Sequence, residues 1–233
     1  IMLRKYLLES MTQYELAHKT AQRNAALPIE QGGLGLHPEN TALERAKAMG
    51  FDTVVYHGTG ADIEGFTKRF LKKDKKTYLY DIGIHGSLKP ETANMYASYA
   101  QFPTLARNMS AGLESGNQVV YPLLAKSGKT LDTTKKLPQE IEDKILEKGD
   151  EFFKTRKRKS IQLKHIYPHD LLQELQPKMG RKPLRDFINN ELGYDSVKYP
   201  FQGDNLVVTK PNQLRSVHAA FDPMRQHESD LLA

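Results

Sequence analysis

Thr53-Val54-Val55-Tyr56-His57-Gly58-Thr59-Gly60 predicts a buried strand that ends in a tight polar turn. Four β-branched or aromatic residues follow Gly50-Phe51-Asp52, which closes a preceding short helix, and such a run favours extended, buried backbone. His57 stands at the end of that run. An imidazole can donate to or accept from a ribose hydroxyl, and a glycine beside it lets a flat amide approach the main chain. A histidine at a strand end is more commonly a satisfied structural residue, so the chemistry needs support from other segments.

Support lies in a second block, Asp81-Ile82-Gly83-Ile84-His85-Gly86-Ser87, followed by Pro90-Glu91-Thr92-Ala93-Asn94-Met95-Tyr96-Ala97. It reads as a strand leading into a helix. Pro90 suits the first helical turn and Ser87 can cap it, which leaves Ala93, Tyr96 and Ala97 on one face. A third block follows much later: Gly193-Tyr194-Asp195-Ser196-Val197, then Gly203-Asp204-Asn205-Leu206-Val207-Val208-Thr209-Lys210-Pro211-Asn212-Gln213-Leu214-Arg215. Loop, strand and proline-bounded turn is its reading, and by itself it is an ordinary edge strand.

In this order the three blocks resemble the ADP-ribosyltransferase superfamily. The resemblance is to the diphtheria-toxin and poly(ADP-ribose) polymerase-like branch, and most closely to the transferase domains of phage polyvalent proteins. It covers about residues 50 to 220. It implies an α+β fold, a split β-sandwich of two small mixed or antiparallel sheets with flanking helices. It also implies NAD+ as substrate, held by Tyr56, His57, Gly58, Thr59, Ser87 and Tyr96. In that family the histidine of the first motif binds the adenosine ribose, the glycine backbone holds the nicotinamide carboxamide, and the tyrosine of the helix stacks on nicotinamide.

Two departures from the family pattern bear on catalysis. His85 stands where a tyrosine is usual, as in the RNA 2′-phosphotransferase branch and some phage-associated members. Asn205 stands where a catalytic glutamate often does. Cleavage of the nicotinamide-ribose bond passes through an oxocarbenium-like state that a carboxylate stabilises. An amide orients a nucleophile without neutralising that charge. Asp204 is the neighbouring carboxylate, but successive strand residues face opposite sides, so it serves only through a bulge or loop. Asn205, His85 and Asp204 are thus the catalytic candidates, with Asn205 ahead of Asp204 for the family's position.

Around these blocks, Leu3, Tyr6, Leu7, Met11, Tyr14, Leu16, Ala17 and Ala21 recur at near-helical spacing and predict an amphipathic helix over 3 to 26. Gln31-Gly32-Gly33-Leu34-Gly35-Leu36 reads as a linker, and Thr41 with Glu44 as the capping box of a short helix through Met49. No P-loop lysine follows those glycines. Further strands are expected at Gln118 to Ala125, Ser196 to Tyr199 and Asn205 to Thr209, and helices near 90 to 100, 138 to 154, 168 to 177 and 182 to 191. Val119 to Leu124 and the turn Gly128 to Asp132 resemble the family's central strand and turn and carry no catalysis. The domain division reads as residues 1–40 for a helical extension and linker, 41–222 for the transferase-like domain, and 223–233 for a tail that trails off disordered.

The composition, with 39% hydrophobic and 27% charged residues in 233, is that of a soluble globular protein, and no run of about 18 apolar residues predicts a membrane span. There is no cysteine, which excludes disulfides and thiolate chemistry and fits a reducing compartment. The net charge of +6 is spread widely apart from Lys154-Thr155-Arg156-Lys157-Arg158-Lys159. That cluster reads as a solvated helix face, or as a contact for RNA, DNA or an acidic partner, though no aromatic residue interleaves it. His165 and His169 are four apart, but Pro168 argues against a shared helix face, so no metal is expected. The resemblance implies a cytoplasmic, phage- or prophage-associated effector acting inside a bacterial host, with a virion-associated or delivered one as the alternative, that ADP-ribosylates a macromolecular acceptor, a host protein first. The alternatives are a catalytically weakened NAD+ or ADP-ribose binding module, and an RNA-directed transferase.

Overall fold

The computed structural model describes residues 2–60, 63–66, 82–99, 118–154, 172, 175, 179–200 and 204–233. Thr155 to Lys159 of the basic cluster, His165, Pro168, His169, Asp81, Gly203 and most of the expected helix at 168 to 177 lie outside those residues.

Helix α1 spans Met2–Ala26 and α2 spans Ala42–Ala48. The cap of α2 is the one expected: Thr41 Oγ1 accepts from Glu44 N at 3.2 Å, and Thr41 N donates to Glu44 Oε2 at 2.7 Å. The bonds its carboxyl accepts from Thr41 N and, at 2.8 Å, from Thr41 Oγ1, with His37 beside it, hold the Glu44 carboxyl down at about 2. The glycine-rich stretch is no free linker. Leu34 N and Leu36 N both donate to Ala25 O at 3.1 Å, so the chain doubles back onto the end of α1. That end is itself seated, with Ala21 and Ala25 fully buried and Asn24 Nδ2 donating to both Asp222 oxygens at 3.0 Å.

Seven strands follow: β1 Thr53–Thr59, β2 Ile84–Ser87, β3 Val119–Ala125, β4 Thr130–Asp132, β5 Ser196–Pro200, β6 Asp204–Val208 and β7 Leu214–Ser216. Their order is β4-β5-β6-β2-β1-β3-β7, with β4 and β5 parallel and the remaining pairs antiparallel. The expected α+β class is the observed one. The hydrogen bonding makes one sheet of what the resemblance draws as two, yet the joint is narrow. β1 and β2 share the single registered pair Tyr56↔Ser87, whereas β1 and β3 pair along their whole length. Gly86 permits this joint, because a Cβ there would stand 2.7 Å from Val55 Cβ. β4 and β7 are three-residue strands within segments read from sequence as turns.

Alternation sorts the sheet into two faces. One carries Val55, Ile84, Leu206, Val208, Leu123 and Leu214, packed with Phe66 and Leu231. The other carries Val197, Tyr199 and Val207. These are covered by helix α4 (Gln139–Lys154) through Ile141 and Ile145, and by α5 (Arg181–Asp186) with its wide continuing turn Phe187–Glu191. Helix α3, Pro90–Tyr99, covers β1 on that same second face. The segment expected to trail off is built in: Ser216 N donates to Leu231 O at 2.8 Å, Leu231 N donates to Glu64 O at 2.9 Å, and Gly65 bridges Asp230. Leu231 is only 3% exposed, and burying its apolar side chain is what overrides the polar composition around it.

Candidate active site

Strand register assembles the site. Tyr199 pairs with Asn205, Asn205 with Ser87, and Ser87 with Tyr56. Residues directly opposite one another share a face, so these four form one row across four strands, at the narrow joint between the half-sheets. His85 lies two residues from Ser87 on the same face. On β1 this face is roofed by α3, and on β5 and β6 by α4 and α5. His85 and Ser87, on β2 between them, and Asn205, at the start of β6, lie where those layers meet.

Gly58 sets how closely α3 approaches. A Cβ at 58 would overlap the Ala93 carbonyl oxygen and stand 2.9 Å from Ala97 N, and Ala93 and Ala97 are themselves buried. The small residues expected on one face of this helix are the ones that let it lie flat on β1. Tyr96 sits on the same helix, half-buried. Ser87 is buried, and its hydroxyl accepts from Lys89 N at 3.1 Å, so it shapes the entry into α3.

His57 alternates to the opposite face from Tyr56 and Gly58, where its ring meets Phe66 edge-on at 5.0 Å between centroids. Its Nδ1 is 2.8 Å from His85 O. A carbonyl only accepts, so Nδ1 carries the hydrogen and Nε2 is left with its lone pair. Burial lowers the His57 pKa below the usual 6.5, against the opposing effect of that hydrogen bond, and favours the neutral ring. The first two blocks of sequence are thereby joined through an imidazole and a main-chain carbonyl. Thr59 is buried at the end of β1, opposite Val119.

The lowered pKa has a consequence for stability. Below pH 6.5 the unfolded chain takes up a proton at this side chain before the folded one does, so stability falls as pH drops through that range. His18, also lowered chiefly by burial, adds to the same fall. His57→Gln is expected to flatten the decline in urea midpoint between pH 7 and about pH 5 in part, leaving the His18 share.

Asp204 and Asn205 part company. Asn205 is 1% exposed and lies in the row, whereas Asp204 falls on the other face with its Oδ2 2.8 Å from Lys198 Nζ. That bond is the main reason the Lys198 pKa is raised. No bulge turns Asp204 back, since β6 pairs with β5 without interruption from Asp204 to Val208. The substitute carboxylate weighed from sequence therefore faces away from the row, as His57 does, and is engaged by Lys198. One residue that sequence reasoning passed over does reach it: Tyr199, whose hydroxyl is 2.7 Å from His85 Nδ1. Alternation along β5 puts it beside Asn205, but only the register identifies it.

A cavity of about 220 Å³ lies elsewhere, lined by Phe51, Lys126, Gly128, Asp195, Lys210 and Gln213 among others. None of the row borders it, and its buried Gln213 is already bonded to Lys126 O, Asp195 O and Lys210 N. Among the described residues there is no cluster of three or more acidic or histidine side chains fit for a metal, and no helix is long and apolar enough to cross a membrane.

No curated protein and no solved structure matches the chain significantly. Residues 48–221, well over half the chain, match the family described as ADP-ribosyltransferase in polyvalent proteins. The match begins just before β1 and ends after β7, so it contains every strand of the sheet and the whole row of the site. The chain belongs to this family, and the α+β sheet described above lies within its ADP-ribosyltransferase domain.

Proposed function

We propose that this chain transfers ADP-ribose from NAD+ to a macromolecular acceptor and releases nicotinamide. The bond between nicotinamide nitrogen and ribose C1′ breaks with its electrons going to nicotinamide. The acceptor heteroatom then bonds to C1′ and gives up its proton. The observation that carries this reading is the registered row Tyr56, Ser87, Asn205 and Tyr199, joined through the His85 carbonyl to His57 on the opposite face of the sheet.

The residues present suit NAD+. A neutral His57 offers Nε2 as an acceptor for a ribose hydroxyl, and the Gly58 main chain, beyond the single β1–β2 pair, would take the carboxamide. Tyr96 supplies an aromatic face for nicotinamide. Asn205 presents an amide at the family's glutamate position, able to orient the ribose or the acceptor. The acceptor is proposed to be a protein of a bacterial host, in keeping with a phage or prophage effector, and the basic run Lys154 to Lys159 would dock it.

The buried amide at 205 also favours a second reading, an NAD+ or ADP-ribose binding module with little turnover, because no carboxylate in the row offsets the developing positive charge. Incubation with NAD+ labelled in the nicotinamide ring separates the two. Nicotinamide release above background, reduced about 10- to 100-fold in His57→Ala, supports the transferase. Saturable binding with no release supports the module, and absence of both removes the site assignment. Label from adenine-labelled NAD+ appearing on added RNA instead of protein would redirect the acceptor class.

A further inference from the structure

We infer that Tyr199 is a positioning residue that fixes the ring and the tautomer of His85, an inference that rests on the transferase reading of this site. Tyr199 is 3% exposed and held in β5, where its ring packs into the core beneath α4 and α5. Its hydroxyl stands 2.7 Å from His85 Nδ1, and the two rings meet edge to face, 87° apart with centroids separated by 5.8 Å. A core tyrosine whose only polar atom meets a site imidazole at that distance constrains the imidazole more than the reverse, since the phenol is anchored by its own packing.

The direction of the bond follows from the chemistry of the partners. A phenol is a good donor and a weak acceptor, while a neutral imidazole nitrogen is a strong acceptor. Tyr199 therefore donates to Nδ1, and the His85 hydrogen resides on Nε2. His57 has the opposite arrangement, because His85 O can only accept from its Nδ1. Two neighbouring histidines thus hold complementary tautomers: His57 accepts at Nε2, and His85 donates at Nε2. With Nδ1 occupied by the phenol and the hydrogen on Nε2, His85 is not the base that deprotonates the acceptor. Tyr199, the register partner of Asn205 on β5, thereby ties β5 to the orientation of His85 on β2.

The test reads tautomers directly. In protein labelled with 15N-histidine, at a pH where both rings are neutral, long-range proton-nitrogen correlation distinguishes the protonated nitrogen of each imidazole. Hydrogen on His85 Nε2 and on His57 Nδ1 is expected. In Tyr199→Phe, which keeps the packed ring, the His85 pattern is expected to average between tautomers while His57 is unchanged. In the same variant kcat for nicotinamide release is expected to fall about tenfold, with KM for NAD+ altered less than about twofold. A wild-type His85 protonated at Nδ1, or a His85 pattern identical in Tyr199→Phe, overturns the inference. The wild-type spectrum decides even if the variant fails to fold. It needs no turnover, so a protein that releases no nicotinamide yet shows the two expected tautomers would lose the transferase reading and keep the positioning.

Discussion

Gly58→Ala is expected to cost about 2–3 kcal/mol of stability and to lower nicotinamide release by more than about 100-fold, although it adds only one methyl group. The added carbon would sit against main chain and not against a movable side chain. It would overlap the Ala93 carbonyl oxygen and stand 2.7 Å from its carbon and 2.9 Å from Ala97 N. Backbone in the middle of a ten-residue helix cannot yield locally, so α3 must lift or slide as a body. A shift of about 1 Å carries Tyr96 and the helix entry at Ser87 away from β1, and misplacement on that scale is enough to cost two orders of magnitude in rate. The control is Ala93→Gly, which leaves the clash intact because the clashing atoms are main chain. The double variant should therefore recover neither stability in urea nor activity. Activity near wild type in Gly58→Ala would mean that α3 does not lie on β1 as described.

How much of this was legible beforehand depends on the range over which each signal acts. The capping box of Thr41 and Glu44, the β-branched strand ending at His57, and the helix opening at Pro90 are local, and their residues state them outright. The candidate site residues came from three short blocks and their order, and what the family match over residues 48–221 bears out is the family those blocks resemble. Register was not legible. Nothing in Asp204-Asn205 says which of the two faces the site, since the answer depends on pairing with Ser87 and Tyr199 across strands more than a hundred residues apart in one case. Tyr199 was hidden for the same reason. The end of the chain misled for another: Met224 to Asp230 is mostly polar and reads as tail, but Leu231, placed against Phe66 and Leu214, and the bonds from Arg215 to Arg225 O and Glu228 O together return it to the core. β4 and β7 were missed because strands of three residues carry no periodicity to detect.

Arg215→Met is expected to destabilise the fold by about 3 kcal/mol and lower Tm by about 10 °C, without touching the site. Arg215 is fully buried, with its Nη2 donating to Glu228 O at 2.7 Å and Arg225 O at 3.3 Å, and its Nη1 donating to Leu214 O at 3.0 Å. One cation thus gathers the carbonyls of β7 and of the returning segment, which is how residues 223–233 are kept on the sheet. Desolvation works against it. Burial is the chief reason the Arg215 pKa falls to about 10, only partly offset by Asp230, and its Nε has no hydrogen-bond partner. Methionine would relieve that cost, and replacement of a buried charge by an apolar side chain is sometimes stabilising. Here the balance goes the other way, because the partners are carbonyls that stay buried and lose their donor, at about 1–3 kcal/mol each, whereas a carboxylate partner could be removed together with the cation. Arg215→Lys should recover less than half of the loss, since a single ammonium cannot span acceptors on both segments. Thermal and urea unfolding of the two variants measure this, with limited proteolysis after residue 222 as a local readout. A variant with methionine at 215 as stable as the parent would show that the packed Leu231, and not the guanidinium, holds the segment down.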